Sequence, residues 1–361
     1  MESVVVNSNF WKGKRVFLTG HTGFKGAWLA FWLHSMGAKV TGVALAPSTE
    51  PNLFSILGLE SKIDSYFLDI RNYEELSALL QKSEPEIVLH LAAQALVRDS
   101  YQDPLGTYST NIMGTAHVLE ALRQTPSVRS GLIVTTDKCY ENKEWVYGYR
   151  ETDPMGGYDP YSSSKGCAEL VTASYRSSYF NPEDHSSHKV GIASARAGNV
   201  IGGGDWSKDR LVPDIVSAIT KKVPLHIRSP HSTRPWQHVL TPLSGYLILS
   251  EQLYNNGDQF SEAYNFGPDD DATVTVGDMT QRFGEVWGDM SNIVIEKAPQ
   301  PHEAGLLKLD SSKAKAKLKW SPRWGFQETI EKTVEWYRTY YENSSDIVHL
   351  TERQLLEFQQ G

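Results

Sequence analysis

The stretch Thr19-Gly20-His21-Thr22-Gly23-Phe24-Lys25-Gly26 constrains this chain more than any other. Before it stands Arg15-Val16-Phe17-Leu18, short, apolar and β-prone, the pattern of a buried strand. After it Ala27–Leu33 is dense in helix-compatible apolar residues and stops near Gly37. Strand, glycine turn and helix in that order form a dinucleotide-binding unit. Gly20 permits the tight turn, Gly23 lets backbone N–H groups approach a pyrophosphate, and Gly26 lets helix and strand pack closely. The helix N-terminus then faces the phosphates with its partial positive charge and unpaired donors, and Phe24 in the turn is counted with the cofactor-binding residues. His21 is read either as a phosphate contact or as a turn residue. With 28 glycines in the chain the spacing alone is weak; the flanking strand and helix give it meaning.

The remaining chain repeats the alternation. Lys39–Leu45 reads as a second strand, with Ala44, Leu45 and Ala46 where such folds often carry an acid for the adenosine ribose, so this site leaves NAD and NADP open. Tyr66-Phe67-Leu68 is a third strand ending in Asp69-Ile70, where Asp69 serves either an adenine amino group or the cap of a helix over Tyr73–Leu80. Ile87–Ala93 is a fourth, with small Ala92 and Ala93 at its exit suited to lie under a cofactor and Gln94, directly after, expected to bind substrate. Leu132–Val134 is a fifth and Val190–Arg196 a sixth. Helices are expected at Thr110–Arg123, Leu211–Thr220 and Phe326–Tyr341, and short strands at Leu225–Ile227 and Ala263–Phe266. This rhythm predicts an α/β fold, a Rossmann-type doubly wound parallel sheet with a smaller interleaved lobe. The sheet domain is expected over residues 11–195 plus about 235–262, and the lobe over about 196–234 and 263–350. Ligands in such sheets sit at the carboxyl ends of the strands.

A net charge of −8 argues against nucleic acid or an anionic membrane as the main partner. Cys139 and Cys167 are too few for a disulfide framework, and no metal-ligand spacing occurs among the 11 histidines, so no metal is expected. No signal-peptide pattern or membrane-length apolar run is present, and a cytoplasmic protein is expected. His90, in an apolar strand, reads as a satisfied core histidine.

Tyr161 and Lys165 stand one helical turn apart on one face. A tyrosine titrates near about 10, too high for a base at neutral pH, and a neighbouring cation would lower it. Just after the fifth strand come Thr136, Asp137 and Lys138, which places Asp137 at a strand's carboxyl end, among the functional candidates of such a sheet.

Together, Thr19-Gly-x-x-Gly-Phe-x-Gly26 and Tyr161-x-x-x-Lys165 resemble the extended short-chain dehydrogenase/reductase family, from about Trp11 to Tyr341. Asn111 and Thr136 match that family's asparagine and active-site hydroxyl. The resemblance implies NAD, Tyr161 as the base for a sugar C4 hydroxyl and Lys165 on the nicotinamide ribose. The acid at Asp137 is similar to the nucleotide-sugar 4,6-dehydratase branch; 4-epimerases usually carry a small or hydroxyl residue there. Many 4,6-dehydratases follow the acid with a glutamate that takes the C5 proton. Here Lys138 stands instead, and the pair resembles the subgroup acting on CDP-glucose, as do Gly202–Trp206, Asp209–Pro213 and Thr233–Val239. Lys138 is a C5 base if neutral and an enolate stabiliser if charged.

The expected partner is thus a nucleotide sugar whose diphosphate needs cations and amide donors. Arg196, Arg210, Arg234 and Asn199 are the candidates, with Trp236 beside Arg234, and His302 in a loop that could close the pocket. The resemblance also implies a lyase feeding deoxysugar synthesis for surface polysaccharide. It implies too a homodimer or dimer of dimers built through Thr110–Arg123 and Tyr161–Tyr179. A 4-epimerase, a dehydratase for another nucleotide sugar and a non-catalytic NAD-binding scaffold stay open.

Overall fold

The computed structural model describes residues 4–269, 272–289, 293–295 and 305–360. At its centre seven strands run parallel. They are β1 (Arg15–Thr19), β2 (Lys39–Ala44), β3 (Asp64–Phe67), β4 (Ile87–His90), β5 (Ser130–Val134), β6 (Gly191–Ala197) and a seventh central strand, Ala263–Phe266. Their spatial order is seventh–β6–β5–β4–β1–β2–β3. The order reverses at β1 and β4, and the crevice there is where the chain turns outward on both sides. β4, β5 and β6 are buried along their whole length, which is why they read as unbroken apolar runs rather than alternating ones.

The Phe24–Ser35 helix is buried from Gly26 to Leu33, with Trp28 and Trp32 fully enclosed. Such a helix needs cover on every side. β1 and β2 flank one side of it. On the other lie the Leu240–Phe260 helix and, through the contact of Trp32 with Phe358, the Ile347–Gln360 helix, which packs on the aromatic-rich Phe326–Glu342 helix. Trp28 Nε1 donates to Gly203 O at 2.9 Å, and Trp32 meets Phe358 edge-on at 6.0 Å.

The seventh strand corrects the expected division of the chain. Ala263–Phe266 pairs with Ser194–Ala197 of β6 and so belongs to the main sheet, not to the smaller lobe. The lobe is held by three two-stranded pairings: Val200–Ile201 with Gln237–His238, Thr233–Pro235 with Thr273–Thr275, and Leu225–Ile227 with Ile293–Ile295. No helix among the described residues is long and apolar enough to cross a membrane.

Candidate active site

A cleft of about 1170 Å3 opens over the carboxyl ends of the strands. That exceeds the roughly 300–1,000 Å3 of a site for one small molecule and suits two ligands meeting end to end. One arm passes over the glycine turn. Gly20 sits at φ +80°, and a Cβ there would lie 2.7 Å from Ala92 N. A Cβ on Gly26 would lie 1.9 Å from Gly20 O. The turn is therefore packed to the limit of glycine, and the helix begins at Phe24 with Gly23 as its N-cap. Gly20, Gly23, Phe24, Gly26, Asp69, Ile70, Ala92, Ala93 and Gln94 all line this arm, as does Leu45 where an acid was absent from the sequence. Asp69 is not the helix cap, which is Asn72. Its carboxylate takes Arg71 Nη2 at 2.5 Å, and that guanidinium holds it below the usual carboxylate range. These features fit a dinucleotide.

Two residues expected in this arm stand elsewhere. His21 is fully buried with Nε2 2.7 Å from Ser65 Oγ, and its ring fills the space beside Gly42. Burial pushes it down to about 4, so it is a neutral turn residue and not a phosphate contact. Asn111 is 1% exposed; its amide spans Gln94 N and O at 2.9 and 3.0 Å and Ser164 Oγ at 2.8 Å. It ties the cofactor arm to the helix of Tyr161 rather than reaching the cleft. His90 is buried on Thr19 Oγ1 at 2.7 Å, as a core histidine should be.

At the meeting point of the arms the Pro160–Tyr179 helix starts on Asp159, which accepts from Ser162 N at 2.9 Å, with Pro160 in the first turn. This fixes Tyr161 and, one turn on, Lys165, both lining the cleft. Burial pushes the Tyr161 phenol up to about 12, against the expected direction; a Thr136 hydrogen bond and the Arg210 charge oppose it without offsetting it. Lys165 donates to Val134 O at 3.2 Å, and burial lowers it to about 8 while Glu169 pulls upward. Beyond β5, Thr136 caps a short turn over Asp137–Cys139. Its Oγ1 donates to Asp137 Oδ1 at 3.0 Å, and Lys138 Nζ reaches the same oxygen at 3.5 Å. Asp137 is 1% exposed and its Oδ2 has no partner among the described residues. An enclosed carboxylate oxygen left unpaired is costly unless a ligand or proton meets it.

The second arm carries Asn199, Arg210, Arg234 and Trp236 on its walls. Arg210 donates to Asp205 Oδ2 at 2.8 Å, and Asp205 is itself clasped by the Tyr337 hydroxyl. Arg234 donates to Thr233 O and Gly305 O at 3.0 and 3.3 Å. Arg196 is a correction. It is 3% exposed, donates to Glu169 Oε2 and the Tyr140 hydroxyl at 2.8 and 2.7 Å, and does not face the cleft. β6 is buried on both faces, so an arginine there needs an internal counter-ion, and Glu169 is that ion. His302 lies outside the described residues.

Sequence reasoning missed Lys25. It lines the cleft floor, 3.5 Å from the Tyr246 hydroxyl, and burial followed by the Arg210 charge lowers it to about 7. The signal was present: a lysine at the one position of the glycine motif framed by Phe24, Gly26 and an apolar helix.

Residues 17–333 match the family described as GDP-mannose 4,6 dehydratase. This chain belongs to that family. A CDP-glucose 4,6-dehydratase of Salmonella typhimurium is 50% identical over 354 residues, covering 98% of both chains. Among solved structures, UDP-glucose 4-epimerase of Thermotoga maritima with UDP-glucose superposes with TM-score 0.78 at 23% identity, covering 90% of this chain and 99% of that one. The dTDP-glucose 4,6-dehydratase of Bacillus anthracis in complex with NAD gives 0.75 at 21%, covering 91% and 98%. The likeness to these two structures concerns the fold; both epimerases and dehydratases use this architecture, so the chemistry must be read from the family's dehydratase residues.

Proposed function

We propose that this chain is an NAD-dependent 4,6-dehydratase that converts CDP-glucose to CDP-4-keto-6-deoxyglucose and water. The observation that carries the reading is Asp137: an enclosed carboxylate with one free oxygen, in the same cleft as Tyr161 and Lys165, in a chain half identical to a relative of that name. Oxidation and re-reduction at C4 need no such acid, whereas loss of the C6 hydroxyl does.

Bound NAD would supply the hydride acceptor for C4, the hydride donor for C6 and a nicotinamide cation that favours the Tyr161 phenolate. The glycine turn, Asp69 and the Ala92–Gln94 exit would hold it. Tyr161 takes the C4 hydroxyl proton, with Thr136 donating to the developing C4 oxygen. The ketone acidifies C5–H. Lys138 takes the C5 proton while Asp137 gives its own to the departing C6 hydroxyl, so that water leaves across C5–C6 and the pair's total proton count is unchanged. Lys138 Nζ stands 3.5 Å from Asp137 Oδ1, so the base and the acid of the elimination work as one pair. Arg210 and Arg234 meet the diphosphate.

We also read a homodimer in the faces of the Gly114–Arg123 and Pro160–Tyr179 helices, which pack together and leave Met113, Leu170 and Tyr179 exposed. Sedimentation of the intact protein tests that assembly.

The function is tested by NMR product analysis with CDP-glucose, and with dTDP-, UDP- and GDP-sugars in parallel, in deuterated water. A 6-deoxy-4-keto product deuterated at C5, from CDP-glucose preferentially, is expected. Asp137→Asn should slow dehydration by about 10²–10⁴-fold while C4 oxidation persists. A galacto-configured product from the unaltered enzyme would overturn the reading.

A further inference from the structure

Beyond Arg210 the second arm runs on past the groups that the reaction uses. Its far walls come from the first turn of the Leu211–Lys221 helix and from Leu225–Ile227 with the turn that follows. Leu211, Val212 and Ile227 make these walls apolar. The order along the cleft is set by two contacts. Arg210 is close enough for Tyr161 to feel its charge, and its carbonyl accepts from Asp214 N at 3.0 Å. A ligand with its sugar at Tyr161 and its diphosphate at Arg210 therefore delivers its base to the neighbourhood of Asp214.

The charges there are not equivalent. Asp209, held at φ +58°, is settled by two guanidinium groups, Arg98 at 3.3 Å and Arg228 at 3.1 Å. Asp214 is half-buried in the cleft wall, and among the described residues nothing hydrogen-bonds its carboxylate. Burial pushes it up to about 6, and the Arg228 charge is the largest influence opposing that rise. Helix capping does not account for it. The N-cap is Arg210 and makes no side-chain cap bond. What the wall presents is an acceptor without a donor, next to a guanidinium that still has N–H groups beyond the pair used on Asp209.

We propose that Asp214 and Arg228 read the edge of the substrate's base and select cytosine. This rests on the nucleotide-sugar reading above and names the base that the site prefers. Cytosine offers an N4 amino donor beside the N3 and O2 acceptors, and a carboxylate accepting from N4 is a standard pairing. Arg228 supplies the donors for N3 or O2. Uracil and thymine turn an O4 acceptor towards the carboxylate and an N3–H towards the guanidinium, so both contacts become repulsive or unmade.

The test compares the wild-type holoenzyme with Asp214→Asn, Asp214→Glu and Arg228→Met. The readouts are kcat/KM on CDP-glucose and UDP-glucose, and calorimetric binding of CDP and UDP. An amide at 214 can turn either way, so D214N should lower the CDP-to-UDP preference by about tenfold or more, mostly through KM and with the binding ratio following. D214E keeps the acceptor and should keep the preference. R228M should weaken CDP binding by a similar factor, and it decides the matter if D214N does not fold. Preferences within twofold of wild type in both D214N and R228M overturn the proposal. If the wild type does not dehydrate CDP-glucose, the functional reading fails, yet the CDP-against-UDP binding ratio still decides the base assignment.

Discussion

Replacing Arg196 by Met should destabilise the protein far more than a surface arginine would. Arg196 and Glu169 are each 4% exposed and 2.8 Å apart. Glu169 also accepts from Ser194 Oγ at 2.6 Å and from the Thr135 hydroxyl, so it is fully engaged as an anion. R196M strips its counter-ion and leaves a buried charge, for which the cost is about 3–5 kcal/mol. At about 3 kcal/mol per molar urea, the midpoint should fall by about 1 M or more. Glu169→Gln keeps the acceptor for the hydroxyls but strands the guanidinium, and should cost a comparable amount. The double variant removes both charges and should cost clearly less than the two single changes added together, because neighbouring sites are not additive. Urea unfolding followed by tryptophan fluorescence measures all four proteins. An R196M loss under about 1 kcal/mol, or a double variant equal to the sum of the singles, would refute the claim that this is a mutually dependent pair.

Other outcomes follow from the same geometry. Gly26→Ala places a methyl 1.9 Å from Gly20 O and should abolish NAD binding measured by calorimetry by breaking the turn itself, whereas Gly23→Ala, which meets only Gly20 O at 3.5 Å within the protein, should leave the turn folded and weaken NAD binding at the pyrophosphate alone. Lys25 has its folded value lowered to about 7, so the unfolded chain holds a proton that the native protein has released between about 7 and 10.5. Stability should therefore rise with pH across that window, with a limiting slope of about 1.4 kcal/mol per unit from Lys25 and a further contribution of the same sign from Lys165 above about 8, and Lys25→Met should remove the Lys25 share in pH-dependent unfolding curves. Tyr337→Phe removes the hydroxyl that clasps Asp205, which in turn anchors Arg210. Its KM for the nucleotide sugar should rise several-fold with kcat less affected, in steady-state assays.

Much of the fold was legible because the sheet's inner strands are buried on both faces and write themselves as apolar runs. Tyr161 and Lys165 were legible for a different reason: one helix turn fixes their relation whatever the tertiary structure does. Arg196 was not, because its partner Glu169 sits on a separate helix, and strand sequence alone cannot say whether an arginine looks out or finds an internal anion. Asn111 and His21 share that difficulty; each is claimed by polar neighbours distant in sequence, Gln94 with Ser164 and Ser65. The seventh strand is four residues long, too short for its sequence to declare which sheet it joins.

The aromatic cover over the glycine-turn helix has a consequence for how the protein comes into being. The Phe24–Ser35 helix is made early, but Trp28 and Trp32 are enclosed by Gly203, Phe358 and their surroundings, which emerge from the ribosome much later. Until then its bare indoles have no native cover and are open to chaperones or to other nascent chains. The cofactor site therefore matures last although its signature is translated first. Shortening the Ile347–Gln360 helix should show up as poor yield of soluble protein before it shows up in turnover.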